Sequence, residues 1–256
     1  MIVGIIGAGN MGGAIVRGLI QSKQQEPANI FVADPNEKAL ATCADLGVKT
    51  TNSNVEAAQA ADLLILAVKP WLAQEVLHKV RTSMKPATML ASVVAGLTLD
   101  TLDTECGAGR SLFRIMPNTA IAIEQSMTFI SSLNASKEQE QMVADLFSAS
   151  GKVLQIPEKQ MSAATSLASC GIAYAMRYIS ASMRAGVELG FTPDSAKEVV
   201  LQTLLGAALL LQQSGQHPEV EIDKVTTPNG LTIKGLNELE HAGFSSSIIK
   251  ALKTSM

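Results

Sequence analysis

The strongest constraint on the fold lies in the first dozen residues. The apolar run Ile2-Val3-Gly4-Ile5-Ile6 leads directly into Gly7-Ala8-Gly9-Asn10-Met11-Gly12. A β-type run, then G-x-G-x-x-G, then a helical pattern (Met11, Ile15, Leu19) points to a dinucleotide-binding βαβ unit. Each glycine meets a different physical need. Gly7 permits the tight turn, Gly9 lets backbone approach a pyrophosphate, and Gly12 lets the helix pack close to the strand. Ala8, Asn10 and Met11 share that turn, whose free N–H groups face the diphosphate in this reading. A tight turn alone also uses glycines, but the adjoining strand and helix favour the dinucleotide. Asp34, about 20 residues further on at the end of the second apolar run, is placed to accept hydrogen bonds from the adenosine ribose hydroxyls. Capping the helix that begins near Asn36 is an equal alternative, and both roles can hold.

The same alternation continues. Asn29–Ala33, Leu63–Val68, Met89–Val94 and Leu112–Met116 read as strands between helical patterns, and Met127–Ser131 and Lys152–Ile156 as further edge strands. This predicts an α/β domain with a Rossmann-type, doubly wound parallel sheet over residues 1–157. Lys69, in Ala67-Val68-Lys69-Pro70, ends the third run, where strand C-termini face a ligand crevice; taken alone it is as well explained as a solvated lysine. After Pro157 the pattern turns helical. Met161–Leu189 reads as one long helix rich in small residues, closed by Gly190. Thr192-Pro193 starts a second, reaching about Gln213. A loop holding Pro218 and Pro228 follows, then short helices over Leu231–His241 and Ser245–Lys253. Both long helices are apolar most of the way round, and residues 158–256 cannot cover them alone. An all-helical dimerisation domain, and an obligate homodimer, follow.

Composition narrows the function. The formal charge of −3 and an aromatic content of 4% argue against nucleic-acid binding, which needs a basic field and stacking surfaces. The longest uncharged run, Val199–Pro218, is interrupted by glutamines, so no membrane span is expected. Cys43, Cys106 and Cys170 lie far apart, with neither a disulfide pattern nor metal spacing. Together with the absence of a basic leader before Arg17, they predict a reducing, cytoplasmic setting. His78, His217 and His241 share no metal spacing, so no metal site is assigned.

Gly4–Ala14 (GIIGAGNMGGA), Ala67–Pro70 (AVKP), Ser92–Gly96 (SVVAG), Arg114–Thr119 (RIMPNT) and Thr227–Thr232 (TPNGLT) occur in this order. So do Tyr174, Ala185–Val187, Leu201–Thr203, Gly206–Ala208 and the stretch from Gly235 to Phe244. Together they resemble the pyrroline-5-carboxylate reductases over almost the whole chain. The glycine motif is generic; its combination with MPNT and TPNGLT is specific. The resemblance implies reduction of Δ1-pyrroline-5-carboxylate to L-proline by NADPH or NADH, the last step of proline biosynthesis. It also implies a Rossmann domain followed by a helical dimerisation domain, an active site shared between protomers, and often a ring of dimers. Ala67, Val68, Lys69, Pro70, Ala95 and Asn54 fall on cofactor-side positions, and Lys224 lies near the cofactor of the other protomer. Thr227, Asn229, Gly230, Leu231 and Thr232 hold the small imino-acid substrate, with Thr232 at the ring nitrogen as the catalytic residue. The loop's N–H groups can meet an anion as a helix N-terminus does, although its composition also suits a plain polar turn. Asn118 could bond the nicotinamide carboxamide or the substrate, or close an Asx-turn.

The chain departs from the family at two places. Ala168-Ser169-Cys170-Gly171-Ile172-Ala173-Tyr174 lacks the usual proline, and Asn229 stands where glycine is usual. Asparagine tolerates left-handed backbone, so the second change is mild. Cofactor preference is open: Asp34 argues for NADH, whereas the family more often uses NADPH. Two other readings stay in view. A β-hydroxyacid dehydrogenase needs a lysine in its central helix, and Met161–Leu189 contains only Arg177 and Arg184. A catalytically silent dinucleotide-binding protein is argued against by intact Thr227 and Thr232.

Overall fold

The computed structural model describes residues 1–256 and shows how the apolar runs are used. They form β1 (Val3–Ile6), β2 (Ile30–Ala33), β3 (Lys49–Thr51), β4 (Leu63–Leu66), β5 (Met89–Ser92), β6 (Leu112–Met116), β7 (Ser126–Leu133) and β8 (Gly151–Gln155). All eight join one sheet in the order β3-β2-β1-β4-β5-β6-β7-β8. The chain divides into two compact units, Met1–Ser169 and Cys170–Met256.

The first unit is doubly wound because its central strands alternate faces. Val3, Ile5, Leu63 and Ile65 pack on one side with Ile15 and Leu19 of α1 (Asn10–Gln21). Ile6, Leu64 and Leu66 pack on the other side. That second layer is built from Ala57 and Ala58 of α3 (Asn54–Ala60), Leu77 and Val80 of α4 (Ala73–Val80), and Leu102 of α5 (Leu99–Cys106). Helices on both faces leave no solvated side to the strands, hence the unbroken apolar run Leu63–Leu66, every residue of it buried. The remaining helices of the unit are α2 (Glu37–Ala44), α6 (Lys137–Ser148) and α7 (Met161–Ala164).

Two expectations for this unit are corrected. The sheet is mixed, because β7 runs antiparallel to β6 while β8 is parallel to β7. The short link between Met116 and Ser126 holds only a 3-10 turn (Thr119–Ile123), too little for the crossover a parallel pair requires. The strand β3 was not expected; its three residues are too few to show a period of two. Near the unit's end, the Glu158 carboxylate accepts from the Leu99 N–H (2.8 Å) at the start of α5 and from Arg114 Nη1 (3.0 Å) on β6.

The second unit consists of α8 (Gly171–Glu188), α9 (Pro193–Ser214), α10 (Pro218–Lys224), α11 (Leu231–His241) and α12 (Phe244–Thr254). The predicted single helix Met161–Leu189 is interrupted by a π-helical turn, Thr165–Cys170. The predicted loop at Pro218 is instead α10: Pro218 takes its first position and His217 Nδ1 accepts from Glu219 N–H (3.3 Å), the arrangement that proline at N1 favours. Gly190 (φ +100) closes α8 and Thr192 caps α9, as expected. The rings of Tyr178 and Phe244 meet edge to face, and Tyr174 bonds Ser255, which ties α8 to α12. Only Ala196 of α8 and α9 is buried; Leu201, Leu205 and Leu209 form an exposed stripe at helical spacing. No helix is long and apolar enough to cross a membrane.

Removing the Glu158 carboxylate leaves Arg114 without its ion-pair partner and Leu99 N–H without its acceptor. Because Glu158 is partly solvated, Glu158→Ala is expected to cost about 2–3 kcal/mol rather than the full penalty of breaking a buried pair. Urea denaturation measures it; a change below about 0.5 kcal/mol would mean that water replaces the carboxylate.

Candidate functional site

The strand ends set the geometry. Ile6 stands level with Ala33 and Leu66, and Leu66 with Ser92. Their successors therefore emerge along one edge. Neighbouring β1 and β4 are the strands at which sequence order reverses, and open α/β sheets form their ligand crevice at that place. The glycine turn after β1 and Ala67–Pro70 after β4 flank it.

The turn has no spare volume on its inner side and free space on its outer side. A Cβ on Gly7 (φ +105) would lie 2.5 Å from the Ala67 carbonyl oxygen, and one on Gly12 would lie 1.8 Å from that of Gly7. Neither contact is possible, so both positions demand glycine. A Cβ on Gly9 would meet nothing within 4 Å. Gly9 is also the N-cap of α1 and no side chain caps that helix, so the first-turn N–H groups of Asn10, Met11 and Gly12 have no intrahelical acceptor. An exposed concavity rimmed by uncommitted N–H donors fits a pyrophosphate.

Asp34 bonds this turn directly. Its Oδ2 accepts from Ala8 N–H (2.7 Å) and its Oδ1 from Asn36 N–H (2.8 Å). The cap of α2 is Asn36, whose Oδ1 accepts from Lys38 and Ala39 N–H. The cap position itself thus belongs to Asn36, and Asp34 supports the start of α2 one step upstream, through the Asn36 N–H. A carboxylate remains at the end of β2, half-buried and anchored beside the glycine turn. Asn54 is the first residue of α3, with Ser53 as its cap. Lys69 and Ala95 are exposed at the same sheet edge, Ala95 just before Gly96 (φ +79).

Asn118 shows the second of its two expected roles. It is buried at 6% exposure. Its Oδ1 accepts from Ala120 N–H (3.1 Å) and its Nδ2 donates to the Ala168 carbonyl (3.4 Å). Both ends of the amide bond within the protein, which is the turn-closing alternative rather than a group held out to a ligand. Its own N–H donates to Ser126 Oγ (3.2 Å), which is linked to Thr128 Oγ1 (2.9 Å). Sequence reading missed Ser126 and Thr128, because hydroxyl residues in a strand look like ordinary strand formers.

In the second unit, Asn229 adopts left-handed backbone (φ +61), which asparagine accepts in place of glycine. Gly230 then caps α11 without a side-chain bond, so the first amides of that helix also point outward uncapped. A Cβ on Gly230 would approach Thr227 Oγ1 to 2.5 Å, so the close turn requires glycine there. Leu231 is 88% exposed and Thr232 is also exposed. Lys224, at the end of α10, pairs with Glu221 (2.7 Å), and this bond holds the Glu221 carboxyl below its usual range. Burial raises the Cys43 thiol and pushes Cys106 up to about 11, so both are protonated at neutral pH and poor nucleophiles. No three His, Cys, Asp or Glu side chains gather into a metal-binding group.

Comparison with known proteins agrees with this layout. Residues 158–256 match the pyrroline-5-carboxylate reductase dimerisation family, and residues 2–96 match the family described as NADP oxidoreductase, coenzyme F420-dependent. The chain is 36% identical to pyrroline-5-carboxylate reductase 1 of Dictyostelium discoideum over 99% of its own length, and spans 48%, about half, of that protein. It is 34% identical to the pyrroline-5-carboxylate reductase of Methanosarcina acetivorans, covering 98% of this chain and 93% of the relative. The crystal structure of Plasmodium falciparum pyrroline carboxylate reductase with NADP bound superposes with a TM-score of 0.93 at 28% identity, covering 100% of this chain and 95% of the other.

The glycine turn makes a direct prediction. Gly12→Ala forces α1 away from the Gly7 carbonyl, and is expected to destabilise the fold by about 1–3 kcal/mol. It is also expected to weaken binding of NADH or NADPH at least about tenfold, a loss of some 1.4 kcal/mol. Fluorescence titration with each cofactor checks it; unchanged affinity would place the dinucleotide elsewhere.

Proposed function

Because the chain belongs to the pyrroline-5-carboxylate reductase family, we propose that it reduces 1-pyrroline-5-carboxylate to L-proline, the last step of proline biosynthesis. The observation that carries the proposal is the glycine turn, open only at Gly9 and rimmed by free amides at the switch point. A reduced nicotinamide dinucleotide, when bound, supplies the hydride. Residues 1–157 hold it: Gly7, Ala8, Gly9, Asn10, Met11 and Gly12 surround the diphosphate, Asp34 and Asn54 face the ribose, and Ala67, Val68, Lys69, Pro70 and Ala95 line the edge beside it. Residues 158–256 provide the substrate loop and the dimer contacts. The Leu231 amide receives the substrate carboxylate, supported by Thr227 and Asn229; the Gly230 N–H instead donates to the Thr227 carbonyl (2.8 Å) and shapes the loop. Thr232 hydrogen-bonds the ring nitrogen and orients the imine; a hydroxyl is too weak an acid to be the sole proton source at neutral pH. Positioning of this kind accounts for most of what hydride transfer between fixed partners requires.

We infer a homodimer from the exposed stripe on α9; the resemblance to the reductase family adds a ring of such dimers and Lys224 near the cofactor of the neighbouring protomer. Three free cysteines fit a reducing cytoplasm. The protein is expected to be at least a dimer at micromolar concentration, and Ala173→Glu, at an exposed position of α8, to cause aggregation or unfolding by placing a charge in the dimer contact. A stable, active monomer in light scattering would sink the shared site.

Loss of NADH or NADPH absorbance on addition of pyrroline-5-carboxylate tests the reaction; no turnover with either cofactor would leave only dinucleotide binding. Thr232→Ala is expected to lower kcat/KM for the imine by about 10–100-fold, one or two hydrogen bonds' worth, with cofactor affinity unchanged. Wild-type turnover in that variant would remove Thr232 from the mechanism. For the cofactor, the Asp34 carboxylate favours the ribose hydroxyl of NADH over the 2′-phosphate of NADPH, and residues 33–36 offer no arginine to offset it. NADH is expected to be used well and NADPH accepted. Asp34→Ser also removes a bond to the glycine turn, so the informative quantity is the ratio of kcat/KM for the two cofactors. A ratio that Asp34→Ser leaves unaltered would show that the carboxylate serves the turn alone.

A further inference from the structure

We propose that Asn118 is a positioning residue: by donating to the Ala168 carbonyl it holds the π-helical turn Thr165–Cys170, in which the boundary between the two units falls. The division between the two units falls between Ser169 and Cys170, inside this turn.

The orientation of the amide is settled by its partners. Ala120 N–H can only donate and the Ala168 carbonyl can only accept. Oδ1 must face the first and Nδ2 the second, with no ambiguity of flip. The anchor itself is firm. Asn118 follows β6 after a single proline, and its backbone N–H is held by Ser126 Oγ, itself bonded to Thr128 Oγ1 on β7; Asn118, Ser126 and Thr128 are all buried. A fully satisfied buried network of this kind specifies one arrangement of the groups it joins. On the other side, a helix leaves its regular ladder at π-turns and where a foreign side chain reaches in. Here both occur at the same place, since Ala168 lies within the six-residue turn. The reach spans 50 residues of sequence. Only a side chain that accepts at one end and donates at the other serves both partners: aspartate lacks the donor and leucine lacks both groups.

The kinetic part of this inference rests on the reductase reading; the structural part does not. Cofactor binding uses residues of the first unit, whereas turnover needs the substrate loop of the second as well. Loss of the restraint therefore lowers kcat and leaves cofactor affinity intact.

The test uses Asn118→Asp in the 256-residue chain: it keeps the acceptor for Ala120 N–H and replaces the donor with a second, charged acceptor, so the neutral Asn118→Ser is measured beside it. Amide hydrogen exchange over residues 166–173 is expected to rise about tenfold, the loss of one hydrogen bond, while residues 119–124 stay unchanged. The Kd for NADH is expected to stay within about twofold and kcat to fall about tenfold. Unchanged exchange over 166–173 would overturn the proposal. So would a Kd for NADH weakened about tenfold with exchange unaltered, which would make Asn118 a direct cofactor ligand. If Asn118→Asp does not fold, Asn118→Ser, whose hydroxyl still accepts from Ala120 N–H, carries the same comparison. Absence of reductase activity in the unmodified protein would sink the reductase reading while the exchange result still judges the restraint.

Discussion

The cofactor edge depends on one contact that contains no side chain: α1 crosses the Gly7 carbonyl at Gly12, where a single added carbon would sit 1.8 Å from the oxygen. That closeness draws the start of α1 down onto the end of β1 and aims its first amides out of the sheet. It also brings Ala8 N–H to Asp34, so the turn is braced from β2 as well as from its own helix. The hydrophobic layers on both faces hold the strand ends level; the glycine contact converts that level edge into a cradle for an anion. Hydrophobic burial is broadly tolerant of exchange among aliphatic residues, whereas this contact tolerates none.

The second unit follows a different logic. Its helices carry almost no interior of their own, as Ala196 is the one buried residue in α8 and α9. Polar and aromatic ties at Tyr174 and Tyr178 join α8 to α12, yet the stripe through Leu201, Leu205 and Leu209 stays in water. Burying one such side chain is worth roughly 1.5–3 kcal/mol, a strong drive toward covering this stripe, and the stripe lies within the residues that match the dimerisation family.

Much of this was legible in the residues. The apolar runs marked the central strands, the glycine spacing marked the turn, and Asn229 in place of glycine foretold the left-handed backbone found there. What escaped had identifiable causes. Lys49-Thr50-Thr51 is too short to show alternation. His217-Pro218 carried the marks of a helix start, but a charged seven-residue helix offered no apolar stripe to confirm them. The π-turn lies among good helix formers and is matched by a partner on β6's exit loop, so no local pattern announces it. The same holds for Asp34: its bond to Ala8 exists only once β1 and β2 are paired, and no spacing rule distinguishes it from a cap.

In the proposed function Asp34 discriminates the cofactor while its carboxylate braces the glycine turn through Ala8 N–H, so a substitution there that alters preference also loosens the turn. Neighbouring Lys38 is exposed, and its side chain bonds to no part of the turn. On that reading, positions around Lys38 offer a change of dinucleotide preference at less structural cost than Asp34, whose carboxylate is tied to the turn.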